Sequence, residues 1–513
     1  MKKKKRQKTH KKDLRVSKTP NWIIEAVFFL ILLFIYQYQF PYVGEDFKVY
    51  ILNGEYLLNK FLNTSYGNSW YFEPNRAYVV PLFFSVIEGL LFLFSKNIFL
   101  VRNIAIFIFI LSNLLFFVYS LRKFCEGFKI NKIIFFVFMA NPFFIQYALR
   151  EGTELLHLSV LMIAFSNLIK AKQSGFWFGL SSMIRFESIL YLIFIIFPIF
   201  SKDKLNKKIK RIVKDLIGAL IPLTIFGIIT GVFYALPFQP LIDSYFFNIY
   251  LHDYLFEPLR VKHFESVLIF LIPSILIFAY SLFYDRKNFQ KNMLIGSLLI
   301  FIVLRFAYTP IKIERYLFLI VLPCSYFLTN ALEKIFYNLE NKFLIYVKYV
   351  ILLVIFLVSF VIGVKMLNNY TSYQQFEENI LKDAISNINP NQALETNYHI
   401  SMIFLTQNLE LNMRIFPMLR HLNFSETLNC YNVLLVYPKQ MPDWKEEYWN
   451  ITERFKELNP EEFFILKKDH YIYLEKLNDK MNCPYEKTWN YFVIDILRKR
   501  VDISYYEMLK KIA

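Results

Sequence analysis

The chain has 513 residues, of which 56% are hydrophobic, including 57 Phe and 35 Tyr. This composition excludes an ordinary water-soluble protein, because a soluble chain of this length carries more charge and fewer aromatic side chains. The formal net charge is +18 and is concentrated at one end, since residues 1–20 hold eight Lys and two Arg against a single acid, Asp13.

The first predicted element is this basic tail, residues 1–20. A basic tail of this kind can be a nucleic-acid-binding arm. In front of an apolar run, however, it is typical of a cytoplasmic segment that orients the first membrane span. The run 22–40 follows directly, and about 20 apolar residues are enough for a helix to cross the hydrocarbon core. We therefore predict a cytoplasmic N-terminus, no nucleic-acid partner, and a first outer loop over residues 41–97.

The apolar run 78–95 has two interpretations, because it contains Pro81 and the acidic residue Glu88. If it crosses the membrane, the next connection, with Arg122 and Lys123, lies outside, against the positive-inside rule. If it lies at the outer interface as an amphipathic helix, that connection lies inside. We prefer the interfacial helix, and a full span stays open as the alternative.

The remaining apolar runs predict about eleven spans in a transmembrane domain over residues 21–368. One run carries Arg185 and Glu187 near its middle, and charges inside a membrane are expensive. We therefore expect a helix pair broken near Arg185. The predicted spans are residues 22–40, 99–119, 133–148, 155–169, 176–200 (the broken pair), 212–234, 264–284, 293–306, 316–336 and 344–367.

Residues 369–513 lose the apolar density, and by parity they lie outside. Alternating apolar residues near 432–437 and 470–474 predict strands, and two segments, 373–388 and 444–458, predict helices. The fold class is therefore a mostly α polytopic membrane protein with a small extracytoplasmic α/β domain. Cys430 and Cys483 fall in this domain; they could form a disulfide, although two free thiols are the preferred interpretation.

Acidic residues gather on the predicted outer face. Glu45 and Asp46 follow the first span, and Glu151 and Glu154 lie in a short turn between two later spans. Carboxylates at a membrane boundary suit general-base chemistry on a hydroxyl, and two sets that converge could hold a divalent metal. The alternative is that they are solvated anchors at helix ends, with Arg150 neutralising either acid of the second set.

Basic residues also lie inside or at the ends of the predicted spans. Intramembrane charges pair with one another or bind something. The structural interpretation is an Arg185–Glu187 or a Glu314–Arg315 pair. The functional one is a cationic pocket for a lipid phosphate, whose oxygens match the guanidinium fork. The residues in question are Arg102, Arg185, Arg305, Lys312 and Arg315.

Four segments, in this order, resemble motifs of the GT-C glycosyltransferases. The first, Gly44-Glu-Asp-Phe-Lys-Val-Tyr50, is similar to that family's first outer loop, where an acid just after the first span is the catalytic base; Asp46 is the matching position. The others are Asn141-Pro-Phe-Phe-Ile-Gln-Tyr-Ala-Leu-Arg-Glu151, Gly179-Leu-Ser-Ser-Met-Ile-Arg-Phe-Glu187 and Lys312-Ile-Glu-Arg-Tyr-Leu-Phe-Leu-Ile-Val-Leu-Pro323. Two positions depart from the family pattern: Phe186 replaces a Pro, and Ile311 replaces a His.

The resemblance implies an inverting transfer of a sugar, most commonly mannose, from a polyprenyl- or dolichyl-phosphate donor in the membrane lipid to a hydroxyl of a glycan, glycolipid or protein. A divalent cation (Mg²⁺ or Mn²⁺) is allowed but not required. A transporter or flippase of lipid-linked sugars, or a non-catalytic subunit of a glycosyltransferase complex, stays open. The implied catalytic residues are Asp46 and Glu45, and the implied substrate-binding residues are Arg150, Glu151, Glu154, Arg185, Glu187, Lys312, Glu314 and Arg315.

Overall fold

The computed structural model describes residues 21–37, 40, 42–63, 66–68, 73, 77–150, 152–201, 203–234, 238, 241–242, 244, 258–309, 312–337, 342–388, 393–396, 399–409, 411, 414–417, 432–436, 463–467 and 470–477. The basic tail, Glu151, both outer cysteines and the predicted helix 444–458 lie outside these residues. What the sequence indicates for them stays a prediction.

Helices dominate the described residues, as the composition predicts. Three stretches of the described residues wind more tightly as 3₁₀ helices: Phe186–Phe200, Val261–Phe264 and Glu314–Ile320. The α-helices are α1 (Asn21–Gln37), α2 (Glu45–Leu62), α3 (Val79–Phe92), α4 (Ile98–Phe128), α5 (Lys132–Met139), α6 (Pro142–Tyr147), α7 (Glu154–Ile169), α8 (Gly175–Ile184), α9 (Leu205–Tyr234), α10 (Leu268–Tyr284), α11 (Phe289–Tyr308), α12 (Val321–Tyr337), α13 (Lys342–Ser386) and α14 (His399–Asn408).

The chain is an integral, multi-pass membrane protein. Five helices in its described part are long and apolar enough to cross a bilayer, and six shorter helices are also apolar. Many large apolar side chains on these helices face outward, such as Ile228 on α9 and Val361 on α13, each about two-thirds exposed. An apolar outer surface of this extent is stable in lipid and not in water.

The expected break near Arg185 is present. Helix α8 ends at Ile184, Arg185 adopts an extended conformation with φ −144° and ψ 120°, and the 3₁₀ helix begins at Phe186. Gly179 allows α8 to pack tightly on α9, because a Cβ there would lie 2.5 Å from the carbonyl oxygen of Ala219. The break therefore presents the Arg185 side chain at the end of a closely packed helix.

Two helices bear on the predicted boundaries. Helix α3 has 14 residues, which at about 1.5 Å per residue is shorter than the hydrocarbon core; its interfacial placement stays a prediction. Helix α13 is continuous over Lys342–Ser386 and so runs through the predicted border at residue 368. The first described strand begins only at Ala393.

The C-terminal α/β module contains a mixed five-stranded sheet with the strand order β2-β1-β3-β5-β4. Strand β1 pairs in parallel with both β2 and β3. Strand β5 pairs antiparallel with both β3 and β4. Two strands, β3 and β5, coincide with the predicted alternating segments. The strands are β1 (Ala393–Thr396), β2 (Arg414–Pro417), β3 (Asn432–Val436), β4 (Phe463–Lys467) and β5 (Tyr471–Lys476).

A buried arginine connects this module to the membrane domain. The Arg102 guanidinium on α4 forms an ion pair with Glu55 on α2, with 2.5 Å between Nε and Oε1. It also donates to the carbonyl of Phe404 and the side chains of Gln407 and Asn408 on α14. All the N–H groups of the Arg102 guanidinium therefore bond protein acceptors, and of the two interpretations left open for this residue the structure supports the structural one.

Candidate active site

The site begins at the N-terminus of α2, which follows the first span. Glu45 and Asp46 occupy its first turn, where the exposed N–H groups of a helix favour negative charge. The backbone amide of Gly44 donates to the carbonyl of Arg150 over 2.9 Å. This bond joins the loop before α2 to the turn after α6, so the two acidic groups lie on one side of the helix bundle. That this side faces away from the cytoplasm stays a prediction.

Gly152 makes this junction possible. Its φ of +82° is a conformation that glycine adopts readily and other residues adopt only rarely and at a cost. A Cβ at this position would lie 2.7 Å from the Phe47 ring. The turn between α6 and α7 can therefore pack directly on α2, one residue beyond Asp46.

Asp46 forms an ion pair with Arg315, which lies at the start of the 3₁₀ helix Glu314–Ile320. The distance between Oδ2 and Nη2 is 2.5 Å, and the side chains are 18% and 15% exposed. These fractions matter because a carboxylate sealed from solvent could not reach a substrate. The predicted proximity of Asp46 to an embedded guanidinium is therefore present, in a partly accessible position.

A second group of charges surrounds the break after α8. Arg185 pairs with Glu154 on α7 and with Glu187, each at 2.7 Å. Arg305, near the end of α11, pairs with Glu187 at 3.2 Å. The side chain of Glu187 is 37% exposed although its arginine partners are at most 14% exposed, so this group borders an open space.

Tyr316 connects the two groups. Its ring centroid lies 5.5 Å from the Arg315 guanidinium and 5.9 Å from that of Arg185. Its carbonyl accepts a hydrogen bond of 2.6 Å from Nη2 of Arg305. Asp46 and three guanidinium groups therefore belong to one cluster, which we call the arginine cluster: Asp46, Arg185, Arg305, Arg315 and Tyr316.

One donor of the arginine cluster is unsatisfied. Among the described residues, the buried Nε of Arg305 has no hydrogen-bond acceptor. A buried polar group without a partner costs free energy. An anion with several acceptor oxygens, such as a phosphate, would satisfy this donor.

A histidine and a serine hold the helices behind the cluster. Nε2 of His157 on α7 and Oγ of Ser188 lie 2.5 Å apart, and both side chains are buried. These residues flank Glu154 and Glu187 in the chain. The contact therefore fixes the two carboxylates that hold Arg185.

Other predicted residues lie beside the cluster. The Arg150 guanidinium stacks on the Tyr370 ring at 3.5 Å. Lys312 donates to the carbonyls of Ala307 and Thr309 at the C-terminal end of α11. Glu45 is exposed and Glu314 is half-buried, and Glu151 is outside the described residues. Substrate roles for these residues stay predictions.

Two contributors, Tyr316 and His157, were not predicted from the sequence. Arg305 was considered for a phosphate pocket, because it is an arginine at the end of an apolar span, but it was not among the predicted substrate-binding residues. Tyr316 directly follows Arg315, and its aromatic side chain looked like packing. His157 is buried in an apolar helix, and nothing in its local sequence indicates its contact with Ser188.

The carboxylates of the site fit a divalent metal poorly. Asp46 and Glu154 each pair with a guanidinium, whereas Mg²⁺ and Mn²⁺ prefer a shell of oxygen ligands. In the part of the chain that the structure describes, no three His, Cys, Asp or Glu side chains come together.

Comparison with known proteins gives similarity in structure but not in sequence. No family model matches the chain, and no curated protein sequence matches it. A crystal structure of ArnT from Cupriavidus metallidurans bound to undecaprenyl phosphate is similar, with a TM-score of 0.56 and 11% identity over 88% of this chain and 97% of that one. The apo structure of the same protein gives a TM-score of 0.53 and 12% identity over the same shares. The chain therefore shares its fold with these ArnT structures, and the mostly α membrane fold with a small α/β domain that the sequence predicted is confirmed.

Proposed function

We propose that this protein is a membrane glycosyltransferase that moves a sugar from a polyprenyl-phosphate donor to an acceptor hydroxyl, with Asp46 as the general base. The observation that carries the proposal is the arginine cluster, in which the partly exposed carboxylate of Asp46 pairs with Arg315 and Tyr316 contacts that arginine and two further guanidinium groups. A base and a phosphate-binding region are the two parts that such a transfer needs. The similar ArnT structure with undecaprenyl phosphate supports this class of donor.

In the proposed reaction, the acceptor oxygen attacks the anomeric carbon while Asp46 takes its proton. The bond between that carbon and the phosphate oxygen breaks on the opposite side, so the configuration inverts. Negative charge develops on the leaving lipid phosphate, and preorganised cations there contribute more than any other single feature. Arg185, Arg305 and Arg315 are the candidates for this role.

Arg315 has a position suited to both steps. It pairs with the base, and through Tyr316 it neighbours the other two guanidinium groups. Each guanidinium has five N–H donors in a planar fork that matches phosphate oxygens. The unsatisfied Nε of Arg305 supports a phosphate site at this end of the cluster.

We further propose mannose as the sugar, and a glycan, glycolipid or protein as the acceptor. In the proposed orientation the N-terminus is cytoplasmic, and the arginine cluster and the C-terminal module face away from the cytoplasm. The dense basic residues near Lys207 and Arg211 support this orientation, since such residues stay on the cytoplasmic side.

The decisive experiment compares the purified wild-type protein with Asp46→Asn on a synthetic polyprenyl-phosphate sugar. Asn keeps a hydrogen-bond acceptor for Arg315 but cannot take the proton. We expect transfer to fall by a factor of about 100 to 10,000 with little change in thermal stability. The matched control, Asp203→Asn in an exposed connection, keeps full activity.

The same assay separates the alternatives. Equal activity of Asp46→Asn and wild type would remove Asp46 from its role. An inactive wild-type protein that moves the lipid-linked sugar between leaflets of a vesicle would be a flippase. A protein that does neither, and becomes active only with a second chain, would be a non-catalytic subunit.

A further inference from the structure

A groove of 460 Å³ lies among α10, the start of α11 and α12. Its walls are mostly apolar, and Leu276, Tyr280 and Ile335 on its rim each expose more than half of their surface. The groove therefore opens sideways from the helix bundle, toward the hydrocarbon region. Its volume is in the range of ligand pockets, about 300–1,000 Å³.

This groove is separate from the arginine cluster. Arg315 is at the first turn of the continuous helical segment that ends with α12, and Lys334 of the groove is in its last turn. With the rise of 3₁₀ and α-helices, the two residues are about 30 Å apart along the axis. That is the thickness of the hydrocarbon core, so the groove lies near the opposite face of the membrane.

The end of the groove near that face is polar and charged. Asp285 and Lys334 form an ion pair at 2.7 Å, and the Lys334 side chain is half exposed. Arg286 and Lys287 follow in the chain and are exposed. An excess of positive charge therefore surrounds the mouth of the groove where lipid headgroups lie.

A buried amide faces the groove without an acceptor. Asn292 is 2% exposed, and its Oδ1 accepts a hydrogen bond of 2.9 Å from the Tyr326 hydroxyl. That bond fixes the orientation of the amide. Among the described residues, Nδ2 of Asn292 has no acceptor. The groove thus offers a fixed donor to an oxygen of its occupant.

We propose that the groove binds one glycerophospholipid of the surrounding bilayer. An acyl chain lies along the apolar walls, an ester or phosphate oxygen accepts from Asn292, and the phosphate lies near Lys334. A free phosphate would leave the apolar walls exposed, and a polar peptide would leave its backbone groups unsatisfied against them. The inference does not depend on the proposed transfer reaction.

The test is photo-crosslinking in nanodiscs with a phosphatidylethanolamine that carries a diazirine on one acyl chain. We expect adducts to concentrate on peptides of α10 and α12. Ala331→Trp fills the groove with a large side chain. We expect it to lower this labelling about tenfold, which corresponds to a loss of about 1.4 kcal/mol in binding free energy. The matched control is Val354→Trp on the exposed face of α13, which should leave the labelling of α10 and α12 unchanged.

A diacylglycerol with the same diazirine chain tests the headgroup. Loss of a charge-assisted bond weakens binding about tenfold, so this probe should label the groove about tenfold less than the phospholipid. Equal labelling by both probes would overturn headgroup recognition. Even labelling of all exposed helices, or crosslinks from the groove to a second protein chain, would overturn the proposal as a whole.

Discussion

The role of Arg305 follows from its contacts and not from its position in the sequence. It joins Glu187 after the break in α8 to the carbonyl of Tyr316, and so holds two segments of the cluster together. Its Nε has no hydrogen-bond acceptor in the described part of the chain. A residue with this combination both positions the site and offers a donor to an anion.

We predict that Arg305→Lys lowers kcat/KM for the lipid-phosphate donor about 100-fold, a loss comparable to that of one oxyanion donor. Lysine keeps the positive charge but loses the fork that reaches two acceptors at once. Steady-state kinetics with varied donor would measure the effect.

The matched control is Arg122→Lys, because Arg122 is 47% exposed and pairs with Glu126 within α4. Exposed pairs contribute little to stability, and this variant should keep wild-type kinetics. Equal kinetics for Arg305→Lys and wild type would show that charge alone suffices at this position.

At the scale of elements, the position of α2 decides whether Asp46 reaches the cluster. The helix is held at its start by the Gly44–Arg150 backbone bond and by the packing of Phe47 on Gly152. Further along, the buried Asn59 side chain bonds the chain that leaves α2, at Tyr66 and Asn68. Asp46, the proposed base, is therefore carried by a helix that is anchored at both ends.

We predict that Gly152→Ala destabilises the protein by about 2 kcal/mol and lowers activity as well. The substitution combines an unfavourable positive φ with a clash against Phe47. Thermal unfolding in detergent and transfer activity would be measured together. A wild-type melting temperature would contradict the argument.

The opposite substitution is the control. Ala171 follows α7 with φ +55°, a left-handed conformation that glycine adopts at lower cost. Ala171→Gly should raise stability by up to about 1 kcal/mol. Because Ala171 is far from Asp46 along α7, its effect on activity should be small.

Across the molecule as a whole, polar contacts hold the C-terminal module against α2 and α4. Arg102 links α4, α2 and α14, and Lys48 on α2 donates to Ser401 on α14 over 3.0 Å. Helix α13 provides a continuous connection from the membrane domain to the sheet. Module and membrane domain therefore share α2 as a common support.

We predict that Arg102→Met destabilises the protein by about 3–5 kcal/mol, because it leaves the buried carboxylate of Glu55 without its partner. The double variant Glu55→Gln/Arg102→Met should recover much of this lost stability. It removes both charges, and the Gln side chain keeps an oxygen that accepts from the backbone N–H of Asn68. Chemical unfolding and limited proteolysis of the module would measure both. If the loss of stability in the double variant equals the sum of the losses in Glu55→Gln and Arg102→Met, the two side chains contribute no coupling free energy.

Hydropathy, charge and periodicity along the chain were enough to predict the multi-pass membrane character, the break at Arg185, the α/β nature of the C-terminal module and the mostly α fold class, because these are properties of neighbouring residues. Which charges meet became known only from the packing of the helices. Arg315 lies beside Asp46, Arg185 pairs with Glu154 as well as with Glu187, and the hydrogen bonds of the Arg102 guanidinium go to Glu55 and to α14. Such pairings depend on the packing of helices far apart in the chain, and no local pattern encodes which of several embedded arginines reaches which carboxylate.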